Sequence, residues 1–419
     1  MYDWADSAFA TTVMAGFFPI LFKEYWSAGV DVNFSTLTLG LSNSIAGLIV
    51  AVFAPILGAI ADRGSNKKKF LVFFAYLGAL MTSTLFLLEE GQWITAAVLY
   101  GIGVIGFSAG NIFYDALLPM IASDRKVDFI SAMGYALGYL GGGILFILNV
   151  LMTRKPEWFG FENAAEGVKF SFLTVGVWWG LFTIPLILWI KEEKPPVLQS
   201  GNIILSSFKN VLHTFRKVRN LKITFIFLIA YWLYIDGVDT IVRMAVDFGI
   251  SIGFSSKDLI FALLITQFIG FPSAIIFGKL GEKWDVKKSI LIGICVYIMA
   301  TVYGMLMTER WQFYVLAGVI GLVQGGVQAL SRSFYSRLIP PGHEAEFYGF
   351  YNMMGKFAAI IGPTLMGVVG ITASRMGYTQ NFASRAGIGS VLILFVIGGI
   401  LLNSVDEKQG KMNAGALGQ

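Results

Sequence analysis

Three ionisable residues share one face of an apolar segment in the second half of the chain. Asp236, Asp239 and Arg243 are spaced i, i+3 and i+7, and Tyr231 lies earlier in the same segment; this spacing places the three on one side of a helix. A charge at mid-bilayer costs about 2.5–3.5 kcal/mol on insertion scales, so it faces a cavity or a partner. Asp236 and Asp239 are therefore candidates for binding a substrate amine or a proton. The alternative is a purely structural ion pair between Asp239 and Arg243.

A lysine lies deep in a later apolar segment, with an asparagine on the same helical face. Lys356 follows the start of its segment by about ten residues, or roughly 15 Å of helix, and Asn352 precedes it by one turn. A lysine at this depth has no nearby interface for its ammonium group to reach. We interpret Lys356 as a ligand for a substrate carboxylate or as a salt-bridge switch with Asp236 or Asp239. A permanent structural pair with these aspartates is the alternative.

Uncharged polar residues recur at helical spacing in two further apolar segments. Gln324 and Gln328 share a face of one segment, and Ser108, Asn111 and Asp115 share a face of another. Such residues line a polar cavity or join neighbouring helices by hydrogen bonds, and both interpretations stay open. Asp115, near the end of its segment, is better placed for a gate or for an interface between helices.

The composition shows what kind of molecule must hold these residues. Of 419 residues, 56% are hydrophobic and 14% are charged, against about 25% charged in a soluble domain, and the mean hydropathy is +0.70. A membrane span needs about 20 mostly apolar residues. Twelve such segments are present, near residues 4–27, 36–61, 69–89, 93–117, 129–152, 169–190, 221–246, 258–279, 289–307, 311–335, 346–371 and 386–404. We therefore predict an all-α membrane protein of about twelve transmembrane helices.

An internal repeat divides these segments into two groups of six. The run from Gly58 to Arg63 after the second segment matches the run from Gly278 to Lys283 after the eighth, 220 residues later throughout. Parallel repeats of this kind are a known architecture of transporters. The predicted organisation is a six-helix bundle at 1–190, a cytoplasmic linker with an amphipathic surface helix at 191–220, a pseudo-symmetric six-helix bundle at 221–405 and a cytoplasmic tail at 406–419.

The positive charges predict the orientation in the membrane. The net charge is +5, and most lysines and arginines fall in the short connections that are cytoplasmic if both termini are cytoplasmic. This distribution follows the positive-inside rule. We expect a multi-pass protein of the cell inner membrane with both termini inside. Because the basic residues lie in short loops between apolar runs, nucleic acid is not an expected partner.

Few residues in the apolar segments would support other chemistry. Cys295 is the single cysteine, and His213 and His343 both lie in polar connections, so we expect no disulfide, no metal site and no cofactor. No phosphate-binding Gly-x-x-x-x-Gly-Lys-Ser/Thr loop occurs, so an ion or substrate gradient must supply the energy. The carboxylates within spans favour the proton as coupling ion, with Na⁺ coupling and uniport left open. We predict a monomer that is not an enzyme and binds a small-molecule substrate.

Two groups of motifs resemble known families. Gly58-x-x-Ala61-Asp62-Arg63 and the lysines that follow it resemble the loop between the second and third helices of the major facilitator superfamily. Five further segments resemble the bacterial UMF1 group, which is related to the fungal autophagy-linked vacuolar effluxer family: Tyr2-Asp-Trp-Ala-Asp-Ser-Ala-Phe9, Ala136-Leu-Gly-Tyr-Leu-Gly-Gly-Gly143, Gln328-Ala-Leu-Ser-Arg-Ser333, Ile339-Pro-Pro-Gly342 and Gly349-Phe-Tyr-Asn-Met-Met-Gly-Lys-Phe-Ala358. Asp6 stands where that family usually has Asn.

The resemblance implies a major facilitator fold, in which the first, fourth, seventh and tenth helices line a central cavity. It also implies a cytoplasmic gate, in which Asp62 and Glu282 contact neighbouring helix ends and release them as the two halves rock. Simple topogenic charge is the alternative for these acids and their basic neighbours. The predicted gate residues are Asp62, Arg63, Asp115, Glu282, Lys283 and Arg332.

The favoured function is secondary active transport of a small polar or zwitterionic solute by alternating access. An amino acid is the first candidate, with efflux as its direction, because the fungal family that the chain resembles is thought to export amino acids. A zwitterion would place its amine at Asp236 and its carboxylate at Lys356 or Arg243. Transport of another metabolite, a siderophore or a drug-like compound is an alternative, and so is a membrane sensor that has lost transport. Asp3 and Asp6 are expected near the cytoplasmic mouth.

Overall fold

A computed structural model of the chain describes residues 1–28, 32–64, 66–123, 125–192, 221–251 and 256–417. Nearly all of these residues are helical. The amphipathic helix predicted for the linker lies outside the described residues. The side chains of Arg63, Arg243 and Lys356 also lie outside the description, although the backbone of each belongs to a helix.

The first half of the chain forms six long helical segments separated by short polar connections. The first, α1, has four continuous pieces, Tyr2–Ala8, Phe9–Phe17, Phe18–Leu21 and Phe22–Trp26, of which the second and fourth are π-helical. The others are α2 (Val32–Gly64), α3 (Lys67–Thr84, continued by a 3-10 turn at Leu85–Leu87), α4 (Trp93–Ile121), α5 (Val127–Arg154) and α6 (Ala164–Trp189). A 3-10 turn at Pro156–Phe159 lies between the last two.

The second half repeats this arrangement and adds a tail helix. Its segments are α7 (Lys222–Ser251), α8 (Ser256–Lys283), α9 (Val286–Leu306), α10 (Arg310–Ser336), α11 (Glu344–Arg375), α12 (Gln380–Ser390 and Leu392–Asn403) and the tail helix α13 (Glu407–Leu417). Each of the twelve apolar segments predicted from the sequence coincides with one of α1–α12, because a chain in lipid must satisfy its backbone hydrogen bonds internally.

Not all of these helices are equally clear membrane spans. Within the described residues, nine helices are long and apolar enough to cross a membrane, namely α3–α10 and α12. Helix α2 adds a tenth if its two parts, Leu41–Ala54 and Ile56–Asp62, which are bent by 43° relative to each other, form one span. An all-α membrane protein is thus confirmed, while the total of twelve spans stays a prediction.

Glycines of α5 let α1 pack closely against it. A Cβ added at Gly141 would lie 2.7 Å from the carbonyl oxygen of Trp4, and one added at Gly138 would lie 2.5 Å from Ser7 Oγ. Only residues without a side chain allow helices to approach this closely. The same Trp4 carbonyl oxygen accepts a hydrogen bond from Trp178 Nε1 of α6 at 3.0 Å, so α1 also contacts α6. This packing fixes the rotation of α1 about its own axis.

The two halves meet through α2 against α11 and through α5 against α8. Both pairs are in close contact at the end of the bundle where α1 begins, which we call the N-terminal face. A Cβ added at Gly58 would lie 2.3 Å from the Ala345 carbonyl oxygen, and one added at Gly278 would lie 2.5 Å from Ala132 Cβ. The two glycines that are 220 residues apart in the sequence therefore both lie at close contacts between the halves.

Candidate functional site

A cavity of about 360 Å³ lies at the seam between the two halves. Helices α1, α4 and α5 line it from the first half, and α7, α8, α10 and α11 line it from the second. Seven residues that the sequence analysis selected contribute to its wall: Asn111, Asp115, Tyr231, Gln324, Gln328, Arg332 and Asn352. The fold thus brings together polar residues from four helices that are far apart in the sequence.

Asp236 lies away from this cavity, buried between α7 and α11. Its Oδ1 and Oδ2 accept hydrogen bonds from the backbone N–H of Gly362 at 3.0 and 3.2 Å, and Oδ1 accepts another from Thr240 Oγ1 at 3.2 Å. The residue is 0% exposed. Asp236 is not among the residues that line the cavity, whereas Tyr231 and Val242 of the same helix are. These contacts engage both carboxylate oxygens, and a substrate or proton role for Asp236 stays a prediction.

The other charges of the same predicted group are less fully described. Asp239, three residues after Asp236 on α7, is half-buried. The side chains of Arg243 and Lys356 lie outside the described part of the structure. The ion pair predicted for Asp239 and the salt-bridge switch predicted for Lys356 therefore stay predictions.

Arg332 of α10 is the centre of a charged network beside the cavity. The residue is 3% exposed. Its Nη1 donates to Asp115 Oδ1 of α4 at 3.1 Å, and its Nε and Nη2 donate to Ser131 Oγ and Ser131 O of α5, both at 2.9 Å. The guanidinium lies over the ring of Tyr135, 4.6 Å from its centroid. One side chain of the second half therefore binds two helices of the first.

Asp115 and Asp3 each have a further hydrogen-bond donor. Asn352 Nδ2 of α11 donates to Asp115 Oδ2 at 3.2 Å, and the Tyr114 hydroxyl donates to Asp3 Oδ2 at 2.5 Å. Asp3 Oδ2 also lies 3.9 Å from Arg332 Nη2. Both carboxylates are thus paired with the same guanidinium and held in place by a second donor.

Asp6 is the third carboxylate of the cavity, although its place near the start of the first apolar segment predicts a position at the cytoplasmic mouth. It is 3% exposed, and the side-chain amide of Asn111 interacts with its carboxylate. The sequence does contain a signal for its position. Asp3, Asp6, Ser7 and Thr11 recur at helical spacing, and all four line the cavity.

At the N-terminal face, Asp62 at the end of α2 binds the first turn of α11. Its Oδ1 and Oδ2 accept hydrogen bonds from the backbone N–H groups of Ala345 and Glu346 at 3.0 and 2.8 Å, which have no partner within the helix. Lys67 Nζ lies 2.9 Å from Asp62 Oδ1 and 2.8 Å from Glu344 Oε2. An acid of the first half is therefore held at a helix N-terminus of the second, where the helix dipole favours negative charge.

A second ion pair joins the halves at the same face. Arg337 Nη2 lies 2.6 Å from Asp128 Oδ2 at the start of α5, and Arg337 Nη1 lies 3.0 Å from Glu407 Oε1 of the tail helix. Glu282 and Lys283, the gate pair predicted for the second half, are exposed. The internal repeat is therefore visible in the close-contact glycines, whereas the ion pairs of the two halves differ.

The lining of the cavity offers hydrogen bonds, charges and aromatic faces. Among the described residues, no group of three or more His, Cys, Asp or Glu side chains is placed to hold a metal ion. The side chains that do line the site are mainly amides, hydroxyls, carboxylates and tyrosine rings, with one guanidinium. Such a lining is suited to reversible binding of a polar solute.

Solved structures of known transporters share this architecture. The human organic anion transporter MFSD10 (TETRAN) is similar with a TM-score of 0.70 at 13% sequence identity, over 96% of this chain and 97% of that one. FucP, a major facilitator superfamily transporter in the outward conformation, is similar with a TM-score of 0.67 at 12% identity, over 97% of each chain. The fold is therefore that of the major facilitator superfamily.

The sequence identifies the family within this fold. Residues 27–415 match the family described as vacuole effluxer Atg22 like, and the chain belongs to it. It is 38% identical over 411 residues to an uncharacterized MFS-type transporter, YxiO, of Bacillus subtilis (strain 168). The alignment covers 97% of this chain and 94% of that relative. It is also 26% identical over 471 residues to autophagy-related protein 22 of Coccidioides immitis (strain RS), in an alignment that covers 93% of this chain and 76% of that relative. The family resemblance is confirmed, and the protein is a transporter of the major facilitator type, not an enzyme.

Proposed function

We propose that the protein is a secondary active transporter that acts as a monomer, moves a small polar or zwitterionic solute by alternating access and couples this movement to protons. The observation that carries the proposal is the polar cavity at the seam, together with the contacts across the seam that close the N-terminal face. Alternating access needs a site between the two halves and contacts that form on one side while the other side is open.

An amino acid is the first candidate for the solute. The cavity, at about 360 Å³, lies toward the small end of the roughly 300–1,000 Å³ range of ligand pockets, which suits a solute of this size. The family description as a vacuole effluxer supports export as the direction of transport. Another metabolite, a siderophore or a drug-like compound is the alternative substrate, and a sensor without transport is the alternative function.

We place the N-terminal face in the cytoplasm, at the cell inner membrane, because the short basic connections concentrate there. The described conformation is then closed toward the cytoplasm. Opening that side would separate Asp62 from the first turn of α11 and Arg332 from Asp115. Water reaches each released charge, so hydration offsets much of the lost attraction and the two conformations can stay close in free energy.

The crowding of carboxylates supports the proton as coupling ion. Asp3 and Asp115 both pair with Arg332, and Asp6 adds a third negative charge to the same buried site. Like charges in one buried site favour the uptake of a proton by one of them. We therefore assign the coupling proton to this cluster rather than to Asp236.

Transport by purified protein in liposomes tests the proposal. Uptake of radiolabelled amino acids is followed with and without a pH gradient across the membrane. We expect saturable uptake that the gradient stimulates and that a protonophore abolishes. Flux that does not respond to the pH gradient would contradict proton coupling. Tight binding of a solute without any flux, in protein that unfolds cooperatively on heating, would favour the sensor.

A further inference from the structure

Among the side chains that the structure describes, the negative charges of the cavity wall outnumber the positive ones. Arg332 is the one cation among the described residues of its wall, and it faces Asp3, Asp6 and Asp115. Its Nε, Nη1 and Nη2 already donate to Ser131 and Asp115, and Nη2 also lies near Asp3. Little of this guanidinium is left to bind an anionic group of a solute.

Asp6 is the carboxylate that this arrangement leaves without a cation. Among the side chains that the structure describes, no lysine or arginine nitrogen lies within 4.0 Å of its oxygens. Its hydrogen-bond partner is the side-chain amide of Asn111, which is neutral. A buried carboxylate needs an opposite charge or a proton. Because Asp6 lines the cavity, a solute can supply that charge.

Aromatic rings add a second feature with the same preference. Tyr139, Tyr231 and Tyr351 line the cavity together with Tyr135, and the face of Tyr135 already holds the Arg332 guanidinium 4.6 Å from its centroid. The face of an aromatic ring carries negative potential and attracts a cation within about 6 Å. The same faces do not stabilise an anion.

We propose that the cavity, which tyrosine rings line, recognises its solute by a positively charged amine that binds the Asp6 carboxylate, and that the solute needs no carboxylate of its own. This inference rests on the proposed transport function and names its substrate class. It also reassigns the amine partner from Asp236, which is held by Gly362 and Thr240, to Asp6.

A proton and the amine then share one carboxylate. When Asp6 is protonated, the amine loses its counter-charge; when the amine binds, the proton leaves to solvent. The groups that face Asp6 are Asp3 and Tyr2 on its own helix, Asp115, Asn111 and Tyr114 on α4, and Arg332 on α10. Since binding of the cation displaces a proton, binding of the amine should tighten as the pH rises.

Four compounds that share a 3-methylbutyl group provide the test of substrate class. They are 3-methylbutylamine, leucine, 4-methylpentanoate and 3-methylbutanol, which carry an amine, both charges, a carboxylate and no charge. Dissociation constants are measured by calorimetry on the purified protein. We expect the amine to bind at least as tightly as leucine, and the carboxylate and the alcohol to bind at least about tenfold more weakly. Tighter binding of 4-methylpentanoate than of the amine would overturn the inference.

Variants of Asp6 test the residue assignment. Asp6→Asn should weaken amine binding by about tenfold or more and remove its pH dependence, while Asp6→Glu should restore part of both. Glu157→Gln, an exposed carboxylate in the turn after α5, is the matched control and should behave as the wild type. Unchanged, pH-dependent amine binding in Asp6→Asn would overturn the assignment.

A measurement on the wild type avoids any dependence on folding of the variants. Adding 3-methylbutylamine to the protein in weak buffer should release protons in proportion to the sites occupied, and binding without proton release contradicts a shared carboxylate. The same compounds in liposomes separate the two proposals. Amine binding without flux would support amine recognition and contradict the proposed transport. Flux of 4-methylpentanoate alone would support transport and contradict amine recognition.

Discussion

Arg332 in α10 and Asp115 in α4 connect the two halves directly, with 3.1 Å between Nη1 and Oδ1. Both side chains also form part of the cavity wall. An ion pair that joins the two halves therefore belongs to the wall of the proposed solute site. Substitutions of either residue should change closure of the N-terminal face and solute binding together.

Replacing Arg332 by lysine tests whether its positive charge is sufficient or whether the planar guanidinium is needed. Arg332→Lys keeps a positive charge but cannot donate to Ser131 and Asp115 at the same time, because an ammonium group lacks the planar fork of guanidinium. We expect a loss of stability of about 1–3 kcal/mol and at least a tenfold loss of flux. Thermal unfolding and liposome uptake provide the measurements. Arg310→Lys at the exposed start of the same helix is the control, and equal behaviour of the two variants would contradict the central role of Arg332.

Adding a methyl group at Gly58 should weaken closure of the N-terminal face. The new Cβ in Gly58→Ala would lie 2.3 Å from the Ala345 carbonyl oxygen and 2.9 Å from Glu346 Cα, and backbone atoms cannot move aside as a flexible side chain does. Overpacking costs about 1–3 kcal/mol, enough to shift the ratio of closed to open protein by roughly tenfold. Gly47→Ala on the same helix is the control, because its new Cβ has no neighbour within 4 Å.

The distance between the halves measures that shift. Spin labels at Lys126→Cys and Trp284→Cys, both exposed at the N-terminal face on opposite halves, are introduced after Cys295→Ser. Gly58→Ala should lengthen the distance between the labels or broaden its distribution, whereas Gly47→Ala should not. Identical distributions in the two variants would show that the contact at Gly58 does not limit closure.

A methyl group at Gly134 should act on the cavity itself. The new Cβ in Gly134→Ala would clash with Asp3 Oδ2 and lie 3.0 Å from Arg332 Nη2, so Asp3 would lose its hydrogen bond from Tyr114 or α1 would move. We expect at least a tenfold loss of solute affinity, measured by calorimetry, with the protein still folded. Gly143→Ala on the same helix provides the comparison, because its nearest contact, Gln267 Cβ at 3.5 Å, is ordinary packing. Similar affinities for the two variants would argue against this arrangement of Asp3.

Two substitutions of Asp236 distinguish a structural from a transport role. Asparagine retains an oxygen that can accept the hydrogen bond from the Gly362 N–H, so Asp236→Asn should keep most of the wild-type flux. Asp236→Ala leaves that N–H without a partner and should lower the free energy of unfolding by about 1–3 kcal/mol. Abolished flux in a stable Asp236→Asn protein would return this carboxylate to the transport mechanism.

The sequence predicts the helices and part of the cavity because both depend on local patterns. Apolar runs of sufficient length became helices at nearly the expected bounds. Asn111 and Asp115 on α4, and Gln324 and Gln328 on α10, share a face by their spacing alone, and both faces turn inward. In each case the polar residues are few and the rest of the helix is apolar, so only one face can avoid lipid.

The choice between Asp6 and Asp236 could not be made in this way. Both are carboxylates on apolar helices, and which one reaches the cavity depends on how each helix is rotated by its neighbours. Close packing of Gly141 against the Trp4 backbone sets this rotation for α1. The Asp236 carboxylate instead accepts a hydrogen bond from the N–H of Gly362, which is 126 residues away in the sequence. No pattern within one helix records a partner on another.

The winding of α1 changes along its length. In its π-helical pieces, Phe9–Phe17 and Phe22–Trp26, each N–H bonds to the carbonyl five residues earlier rather than four, so every such turn holds an additional residue. If one of these turns rewound as α-helix, Tyr2–Ala8 would have to give up its close packing on Gly138 and Gly141 and twist about its axis, which would carry Asp3 and Asp6 away from Arg332. A change of pitch within a single segment would then rearrange the proposed solute site, while the rest of both halves kept its shape.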